Sequence, residues 1–157
     1  MKYITLLLSL LLLSTCKTSS QTATSDFEPA TETNTNIAQS NVVINYSAIT
    51  RGSFLEIKLE NQQILVKKDQ YTPGKILELS DTEWHILLDQ LHNTDLDALA
   101  TLEPPSNKRA YDGAASAKLT ILEDDLKYSA PEFDHGNPNP QIKPLVDYIL
   151  SLAKKVE

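Results

Sequence analysis

The chain contains very few of the residues that build covalent or metal-held scaffolds. Its 157 residues include one cysteine and three histidines. One thiol cannot form an internal disulfide or a multi-thiolate zinc site, and three scattered histidines supply few other metal ligands. We therefore expect neither a disulfide framework nor a metal or other cofactor in this protein.

Glycine is scarce as well, and the sequence motifs that depend on it are missing. The four glycines of the chain belong to no phosphate-binding loop and to no dinucleotide-binding fingerprint. The sequence also lacks the Gly-x-Ser-x-Gly of serine hydrolases and the His-Glu-x-x-His of zinc peptidases. No motif in the sequence predicts catalysis, so we expect the protein not to be an enzyme.

Positively charged residues are also few. Fourteen Lys and Arg residues stand against 21 Asp and Glu residues, which gives a formal net charge of -7. Because most nucleic-acid binding rests on attraction to phosphates, nucleic acid is not an expected partner.

The hydrophobic share of 41% and the charged share of 22% are those of an ordinary soluble fold. The length suits one domain.

The first 15 residues have the pattern of a secretion signal. Lys2 precedes an almost entirely apolar run over residues 4–13. A run of about 7–15 apolar residues is typical of a removable signal peptide, whereas a transmembrane helix needs about 20. The sequence therefore predicts a signal peptide over residues 1–15.

The only cysteine closes this run in the motif Leu13-Ser14-Thr15-Cys16, which resembles the lipobox of bacterial lipoproteins. The resemblance implies that the signal is cut before Cys16, that its sulfur takes a diacylglycerol, and that the new amine is acylated. Two or more acyl chains attach a protein stably to a bilayer, whereas one chain binds only marginally. In that family an aspartate after the cysteine marks inner-membrane proteins, so Lys17 implies the outer membrane. The alternative is a plain signal peptide with a chance cysteine.

The predicted lipidated cysteine and a tether occupy residues 16–41. The 25 residues from 17 to 41 include ten Ser or Thr, and only Phe27 and Ile37 are large and apolar. Such a segment buries too little surface to offset an ordering entropy of about 1–2 kcal/mol per residue, so we expect it to be disordered. Its mean reach of about 25–30 Å would hold a domain clear of a lipid surface.

The remaining residues, 42–157, have the pattern of a small α+β domain. Apolar and polar residues alternate along several segments with the period of a half-buried strand. The predicted strands cover residues 42–48, 54–59, 64–66, 75–79, 115–122 and 126–130. We expect an antiparallel sheet of five to six strands, with two main helices packed on one face, after the disordered tether.

The two helices are predicted from capping and from helical spacing. Ser80 and Glu83 form a capping box, in which each side chain satisfies a free backbone amide of the other. Trp84 and the leucines after it recur on one face, which predicts a helix whose tryptophan side packs on the sheet. The last helix contains Pro144 in its first turn. Proline has no backbone N–H, and the N–H groups of a first turn have no partner within the helix, so nothing is lost there.

Four spaced motifs carry a resemblance within this domain. They are Arg51-Gly52-x-Phe54, Leu79-Ser80-x-x-Glu83-Trp84, Tyr111-Asp112-Gly113-Ala114 and Phe133-Asp134-His135-Gly136. Together they resemble small lipoprotein domains of unknown function, over nearly all of residues 42–153. The order of elements has a fainter similarity to emfourin-type inhibitors of thermolysin-like metallopeptidases. That similarity implies an envelope peptidase inhibitor as the alternative function, and it assigns no inhibitory residue.

The second predicted hairpin brings two polar loops together. Because its strands are antiparallel, loops 104–114 and 131–139 are expected at the same end of the sheet. Their candidate binding residues are Arg109, Tyr111, Asp112, Asp134 and His135. Loops at the end of a rigid scaffold often hold function.

One interpretation of these loops is structural. Asp112 and Asp134 would accept backbone amides in turns, and Gly113 and Gly136 would supply positive φ angles. A basic side chain, His135 or Arg109, would close an ion pair. We favour this interpretation, in which the polar residues hold the loops in place.

Three functional interpretations stand beside it. A calcium site would use Asp112, Asp134 and Asn137, but calcium needs six to eight ligands and no Asp-rich loop is present. A catalytic acid–base pair would join His135 to one aspartate, but no nucleophile or oxyanion-hole motif accompanies it. The third is a contact surface for a partner. The whole chain thus predicts a non-enzymatic binding or accessory module of the cell envelope, held to the lipid bilayer through Cys16 and bound to an envelope protein.

Overall fold

The computed structural model describes residues 41–156. The predictions for the signal peptide, for Cys16 and for the tether up to residue 40 lie outside the described residues, as does Glu157. No helix in the described part of the chain is long and apolar enough to cross a membrane.

The described residues form an α+β domain, as predicted. Its strands are β1 Val42–Thr50, β2 Ser53–Glu60, β3 Gln63–Lys67, β4 Lys75–Glu78, β5 Ser116–Glu123, β6 Leu126–Ser129 and β7 Phe133–Asp134. Its helices are α1 Asp81–His92 and α2 Lys143–Ala153, with short 3-10 helices at Leu99–Thr101, Lys108–Tyr111 and Lys154–Val156. All six predicted strands and both predicted helices are present, and the two-residue β7 is additional.

The strands form one antiparallel sheet with β1 near its centre. The order is β4-β3-β2-β1-β5-β6, and β7 pairs with the first residues of β5. Tyr46 of β1 lies opposite Ile57 of β2 on one side and Leu119 of β5 on the other. The first strand of the domain therefore pairs with a strand about 75 residues later in the chain.

One face of this sheet carries the core. Alternate residues of the central strands are buried, and both helices bury their apolar stripes in the same cluster. Fully buried members include Ile44, Tyr46, Ile57, Leu119 and Ile149. Each such aliphatic side chain stabilises the fold by about 1.5–3 kcal/mol relative to exposure. The residues between them on the strands are partly exposed on the opposite face, which is called the open face below.

The start of α1 follows the sequence prediction closely. The Ser80 side chain accepts the Glu83 amide, and the Glu83 carboxylate accepts the Ser80 amide at 2.8 Å, which completes the capping box. Leu79 before the cap is buried. Trp84 is only partly buried, but it packs against the core cluster as expected. Pro144 lies in the first turn of α2, also as expected.

The two ends of the sheet differ in what they carry. The chain enters β1 at Val42, which is paired with Glu123 beside the turns 61–62 and 124–125. At the other end of β1 lie four connections: the β1–β2 hairpin turn, the β3–β4 loop 68–74, the segment 105–115 before β5, and the loop 131–139 that contains β7. We call this the loop end of the sheet.

Candidate functional site

The two polar loops predicted to be neighbours are in contact. Asn137 donates its side-chain amide to the Ser106 hydroxyl at 2.7 Å, and Asn139 donates to the Glu103 carbonyl at 2.8 Å. The backbone amide of His135 also donates to the Ala115 carbonyl at 2.9 Å. The prediction that loops 104–114 and 131–139 lie together is confirmed.

Asp134 is the centre of these contacts. Its side chain is 2% exposed, and its carboxylate accepts the Ser106 hydroxyl at 2.5 Å and the Lys108 amide at 2.8 Å through Oδ2. Through Oδ1 it accepts the Arg109 amide at 2.9 Å and the Arg109 guanidinium at 3.4 Å. Burial raises the pKa of this carboxyl, but the hydrogen bonds outweigh burial and lower the pKa to about 2.

This arrangement makes Asp134 a structural acceptor. Its charge is compensated by four donors from the neighbouring loop, so the carboxylate holds the 3-10 helix Lys108–Tyr111 against β7. The Arg109 side chain is turned inward and also donates to the Ser106 carbonyl at 3.0 Å. The structural interpretation describes Asp134 and Arg109 correctly, although the amides come from the neighbouring loop and not from the aspartate's own turn.

His135 is joined to the central strand. Its Nδ1 lies 2.7 Å from the Tyr46 hydroxyl, and the two rings are tilted with centroids 5.9 Å apart. Burial lowers the pKa of His135 and raises the pKa of Tyr46, so both groups are neutral near pH 7. The Gly136 amide donates to the Tyr46 oxygen. The arrangement that satisfies all three groups has Tyr46 donating to Nδ1, with the His135 proton on Nε2.

Two of the predicted site residues, Tyr111 and Asp112, are exposed at the edge of the cluster. Tyr111 is 73% exposed, and Asp112 carries the left-handed φ of 58° that we had predicted for Gly113. Gly113 is needed for space instead, because a Cβ there would approach the Tyr111 ring to 3.0 Å and the Lys108 carbonyl oxygen to 3.2 Å. Gly136 does have a positive φ, of 79°, as predicted.

The described residues include no group of three His, Cys, Asp or Glu side chains placed to hold a metal ion. In particular, Asp134 already accepts hydrogen bonds from four protein donors, and His135 is hydrogen-bonded to Tyr46. The candidate residues thus share one end of the sheet. Arg109, Asp134 and His135 are hydrogen-bonded within the protein, whereas Tyr111 and Asp112 are exposed.

Sequence reasoning missed four exposed or partly exposed residues beside Tyr111: Arg51, Ile49, Phe54 and Tyr71. Tyr71 is 86% and Ile49 48% exposed, while the Arg51 side chain is 91% exposed and its Nε lies 3.9 Å from Asp112 Oδ2. Together with Tyr111 they form what we call the loop-end surface. Each resembles an ordinary strand or turn residue in the sequence, so only the sheet order reveals that they lie together.

Two shallow depressions lie at this surface, and Tyr111 lines neither of them. The first, of about 280 Å³, lies between the β1–β2 hairpin and the β3–β4 loop and is lined by residues 49–54 and 68–71. The second, of about 370 Å³, lies on the open face and is lined by Asn45, Tyr46, Ser47, Ile49, Phe54, Glu56, Lys118 and Thr120. Ile49 and Phe54 are cross-strand partners and border both depressions.

The loop that carries Tyr71 is held in place locally. The Asp69 carboxylate accepts the Tyr71 amide at 2.6 Å, which closes an Asx turn. At the end of the loop, a Cβ on Gly74 would come within 2.4 Å of a Leu65 methyl and 2.9 Å of the Val66 carbonyl oxygen. Gly74 therefore allows the backbone at the end of the loop to lie directly on β3.

Charge is distributed unevenly between the two ends of the sheet. The four connections of the loop end carry Arg51, Lys68, Lys108 and Arg109 against Asp69, Asp112, Glu132 and Asp134. The turns beside Val42 carry Asp95, Asp97, Glu123, Asp124 and Asp125. The charges of the loop end therefore balance, whereas the turns at the opposite end are acidic.

The chain matches no protein-family model, no curated protein and no solved structure in comparisons made with all three. The resemblances to lipoprotein domains and to emfourin-type inhibitors stay predictions.

Proposed function

We propose that this protein is a lipid-anchored lipoprotein of the cell envelope, held at the outer membrane through Cys16, and that it acts as a non-enzymatic module that binds an envelope protein. The loop-end surface is the binding surface. The proposal extends the sequence prediction, in which the binding residues were placed in loops 104–114 and 131–139, to the hairpin and the β3–β4 loop beside them.

The observation that carries the proposal is the position of the loop-end surface relative to Val42. Val42 begins β1, and the hairpin with Arg51 follows the last residue of the same strand. Nine residues of antiparallel strand span about 30 Å. The loop-end surface therefore lies at the end of β1 opposite the point where the preceding chain enters the domain, so that chain does not obstruct a partner protein there.

The residue types of this surface support a binding role. Tyr and Arg dominate the energetics of many protein interfaces, because they provide large contact areas together with hydrogen-bonding groups. Loops at one end of a sheet that combine Tyr and Arg with small polar residues have the composition of protein-binding paratopes. Tyr71, Tyr111 and Arg51 fit this pattern, whereas Asp134 and His135 support the loops from below.

Two measurements test the proposal. Membrane fractionation and intact-mass analysis should find the wild-type chain in the membrane with its mass raised by acyl chains, and the Cys16→Ser variant released or unprocessed. Unchanged size and membrane retention of Cys16→Ser would contradict the anchor.

Affinity capture from envelope extract tests the binding surface. A protein retained by the full chain in detergent should be lost with the double variant Tyr71→Ala and Tyr111→Ala. Leu126→Ala, an exposed apolar residue of β6 on the opposite half of the sheet, is the matched control and should retain it. Equal capture by all three chains would show that the loop-end surface is not used.

A further inference from the structure

β4 is an outer strand of the sheet, and all of its residues are exposed. Among the described residues it pairs only with β3. Ile76 is 65% and Leu77 37% exposed. At the other edge of the sheet, two residues of β6 are partly buried. An outer strand that leaves apolar side chains and backbone groups uncovered is a template for pairing with a further strand.

The backbone of β4 has hydrogen-bonding groups that point away from the sheet. The Leu79 amide donates to the Gln62 carbonyl at 2.9 Å, in the register that continues the β3–β4 pairing. Hydrogen-bonded and non-hydrogen-bonded positions alternate in an antiparallel pair, so residues 75 and 77 also point inward. The amides and carbonyls of Gly74, Ile76 and Glu78 therefore point outward, and within the described part of the chain nothing pairs with them.

The open face at this edge changes from basic to acidic along the strand. The buried residues of β3 alternate with Leu65 and Lys67, which places these two side chains on the open face. Lys67 lies beside Gly74, where an added Cβ would meet its Cγ at 2.7 Å. Leu65 is paired with Ile76. Glu78 ends the strand and forms no ion pair with any residue that the structure describes. The edge is therefore basic at one end, apolar in the middle and acidic at the other end.

A two-fold axis through Ile76, perpendicular to the sheet, matches this edge to itself. Antiparallel pairing of two β4 strands about that axis sets Ile76 opposite Ile76 of a second copy, and Glu78 opposite the second copy's Gly74. Because glycine has no side chain, the Glu78 carboxylate can extend over it toward the second copy's Lys67. The two backbones are about 9–10 Å apart there, which a Glu and a Lys side chain span together.

The charge on Lys67 is available for this contact. Its ammonium lies 3.5 Å from the Glu56 carboxylate on β2, and its three N–H donors allow it to pair with a second carboxylate. Two such contacts, related by the axis, would flank the central pair of isoleucines. Opposite charges and apolar side chains therefore meet their complements across the edge.

Other symmetric registers match less well. A two-fold axis passes only between directly opposed residues, so the neighbouring alternatives centre on Lys75 or Leu77. Centring on Lys75 sets two ammonium groups against each other, and centring on Leu77 sets Ile76 against Glu78. Centring on Ile76 instead places the aliphatic stem of Lys75 beside the second copy's Leu77, which it can cover.

We propose that two copies of this protein pair along β4, antiparallel, about a two-fold axis at Ile76. The six-strand paths of the two copies then join end to end into one continuous sheet. The helices of both copies lie on the same face of it, because rotation about an axis perpendicular to the sheet keeps each face on its own side. This inference is independent of the anchor at Cys16 and of the loop-end surface.

Disulfide trapping in living cells tests this proposal. A short strand from each copy makes a small interface, so a covalent bond is used to capture the pair. Directly opposed residues of a hydrogen-bonded pair have Cα atoms about 5.5 Å apart, which suits a disulfide. Under oxidation, the full chain with Ile76→Cys should give an adduct of twice its own mass that reductant removes. Leu77→Cys, displaced by two positions from its own copy, should give at least about fivefold less. Lys127→Cys on β6, and the wild type with only Cys16, should give none.

Charge reversal distinguishes a second copy from an unrelated partner. In the Ile76→Cys chain, Glu78→Lys brings two ammonium groups together and Lys67→Glu brings two carboxylates together, so each should lower the adduct by about fivefold. When the two variants are expressed together with different tags, the mixed adduct should return to the level of the Ile76→Cys chain. Each altered side chain then faces the opposite charge, and only pairing of the protein with itself gives this rescue.

A second measurement covers the case that the added cysteine disturbs the edge. At high concentration in detergent, sedimentation of the purified full chain should give a protein mass of two chains for the wild type and of one chain for Ile76→Lys. Leu126→Lys makes the same kind of change on the exposed β6 and should behave as the wild type. A single-chain mass for the wild type without trapping at position 76, an adduct with a different protein, equal trapping at positions 76 and 127, or no rescue in the mixed pair would overturn the proposal.

Discussion

Tyr46 and His135 lie 89 positions apart in the sequence, and a hydrogen bond of 2.7 Å joins the phenol hydroxyl of one to Nδ1 of the other. Tyr46 is fully buried in the central strand, whereas His135 belongs to an exposed loop at the loop end. The contact ties the position of that loop to the core. It also makes the loop sensitive to protonation, because an imidazolium has no lone pair at Nδ1 to accept the tyrosine proton.

We predict that the domain loses stability on mild acidification through His135. Burial lowers the pKa of His135 in the folded state below its unfolded value of about 6.5. The neutral side chain therefore stabilises the fold fully above about pH 6.5, and this contribution is lost as the pH falls below that value. The melting temperature of the wild type, followed from pH 7.5 to 5, should drop further than that of His135→Gln.

The exposed His92 provides the control for this measurement. His92→Gln should show the same pH dependence as the wild type. If His135→Gln and the wild type had parallel profiles while His92→Gln differed, the assignment to the Tyr46 contact would be wrong.

Replacing Asp134 by Asn should destabilise the domain strongly. The new amide nitrogen would replace one carboxylate oxygen and face the backbone N–H of either Lys108 or Arg109, and the charge that pairs with the Arg109 guanidinium would be gone. We expect the melting temperature at pH 7 to fall by roughly 10 °C, as for the loss of several charged hydrogen bonds in a small domain.

The exposed Asp112 is the matched control, and Asp112→Asn should change the melting temperature by less than about 2 °C. The low pKa of Asp134 also predicts a loss of stability in acid. Its contribution is present above the unfolded pKa of about 3.9 and is lost as the pH falls toward the folded value of about 2. Similar melting temperatures for the two variants would contradict the structural role of Asp134.

The capping box of α1 gives a prediction in energy units. Ser80→Ala removes the acceptor of the Glu83 amide and should lower the free energy of unfolding by about 1 kcal/mol. Ser151→Ala makes the same substitution within α2, where the hydroxyl only donates back to the Tyr148 carbonyl, and it should stay within about 0.5 kcal/mol of the wild type. Urea unfolding of the three chains measures both values, and a larger loss from Ser151→Ala would show that the cap is not formed.

The sequence predicts the elements of this fold well because their signals are local. Alternation identifies β1, β2 and β5 from their own residues, and Ser80 with Glu83 marks the start of α1 within four positions. β7 has only two residues, Phe133 and Asp134, so no period can reveal it. Asp112 takes the left-handed conformation predicted for Gly113, because aspartate also tolerates it.

The site was harder to predict than the elements for a physical reason. The neighbourhood of Asp134 and Arg109 follows from one hairpin, so antiparallel geometry was enough to bring their loops together. The contact of Tyr46 with His135 and the grouping of Arg51 with Tyr71 and Tyr111 depend on β1 lying between β2 and β5. That pairing joins residues far apart in sequence, and hydrophobic alternation carries no information about which strands are neighbours.

Site-specific photo-crosslinking in living cells tests most directly whether the domain acts through its loop end. A photoreactive amino acid is placed at Tyr71 or Tyr111 in one pair of chains, and at Asn61 or Lys127 in a control pair on the opposite half of the sheet. The account predicts discrete crosslinked adducts to the same envelope protein from positions 71 and 111, abolished by Arg51→Glu, and none from positions 61 and 127. Adducts from the control positions alone, or none from any of the four, would contradict it.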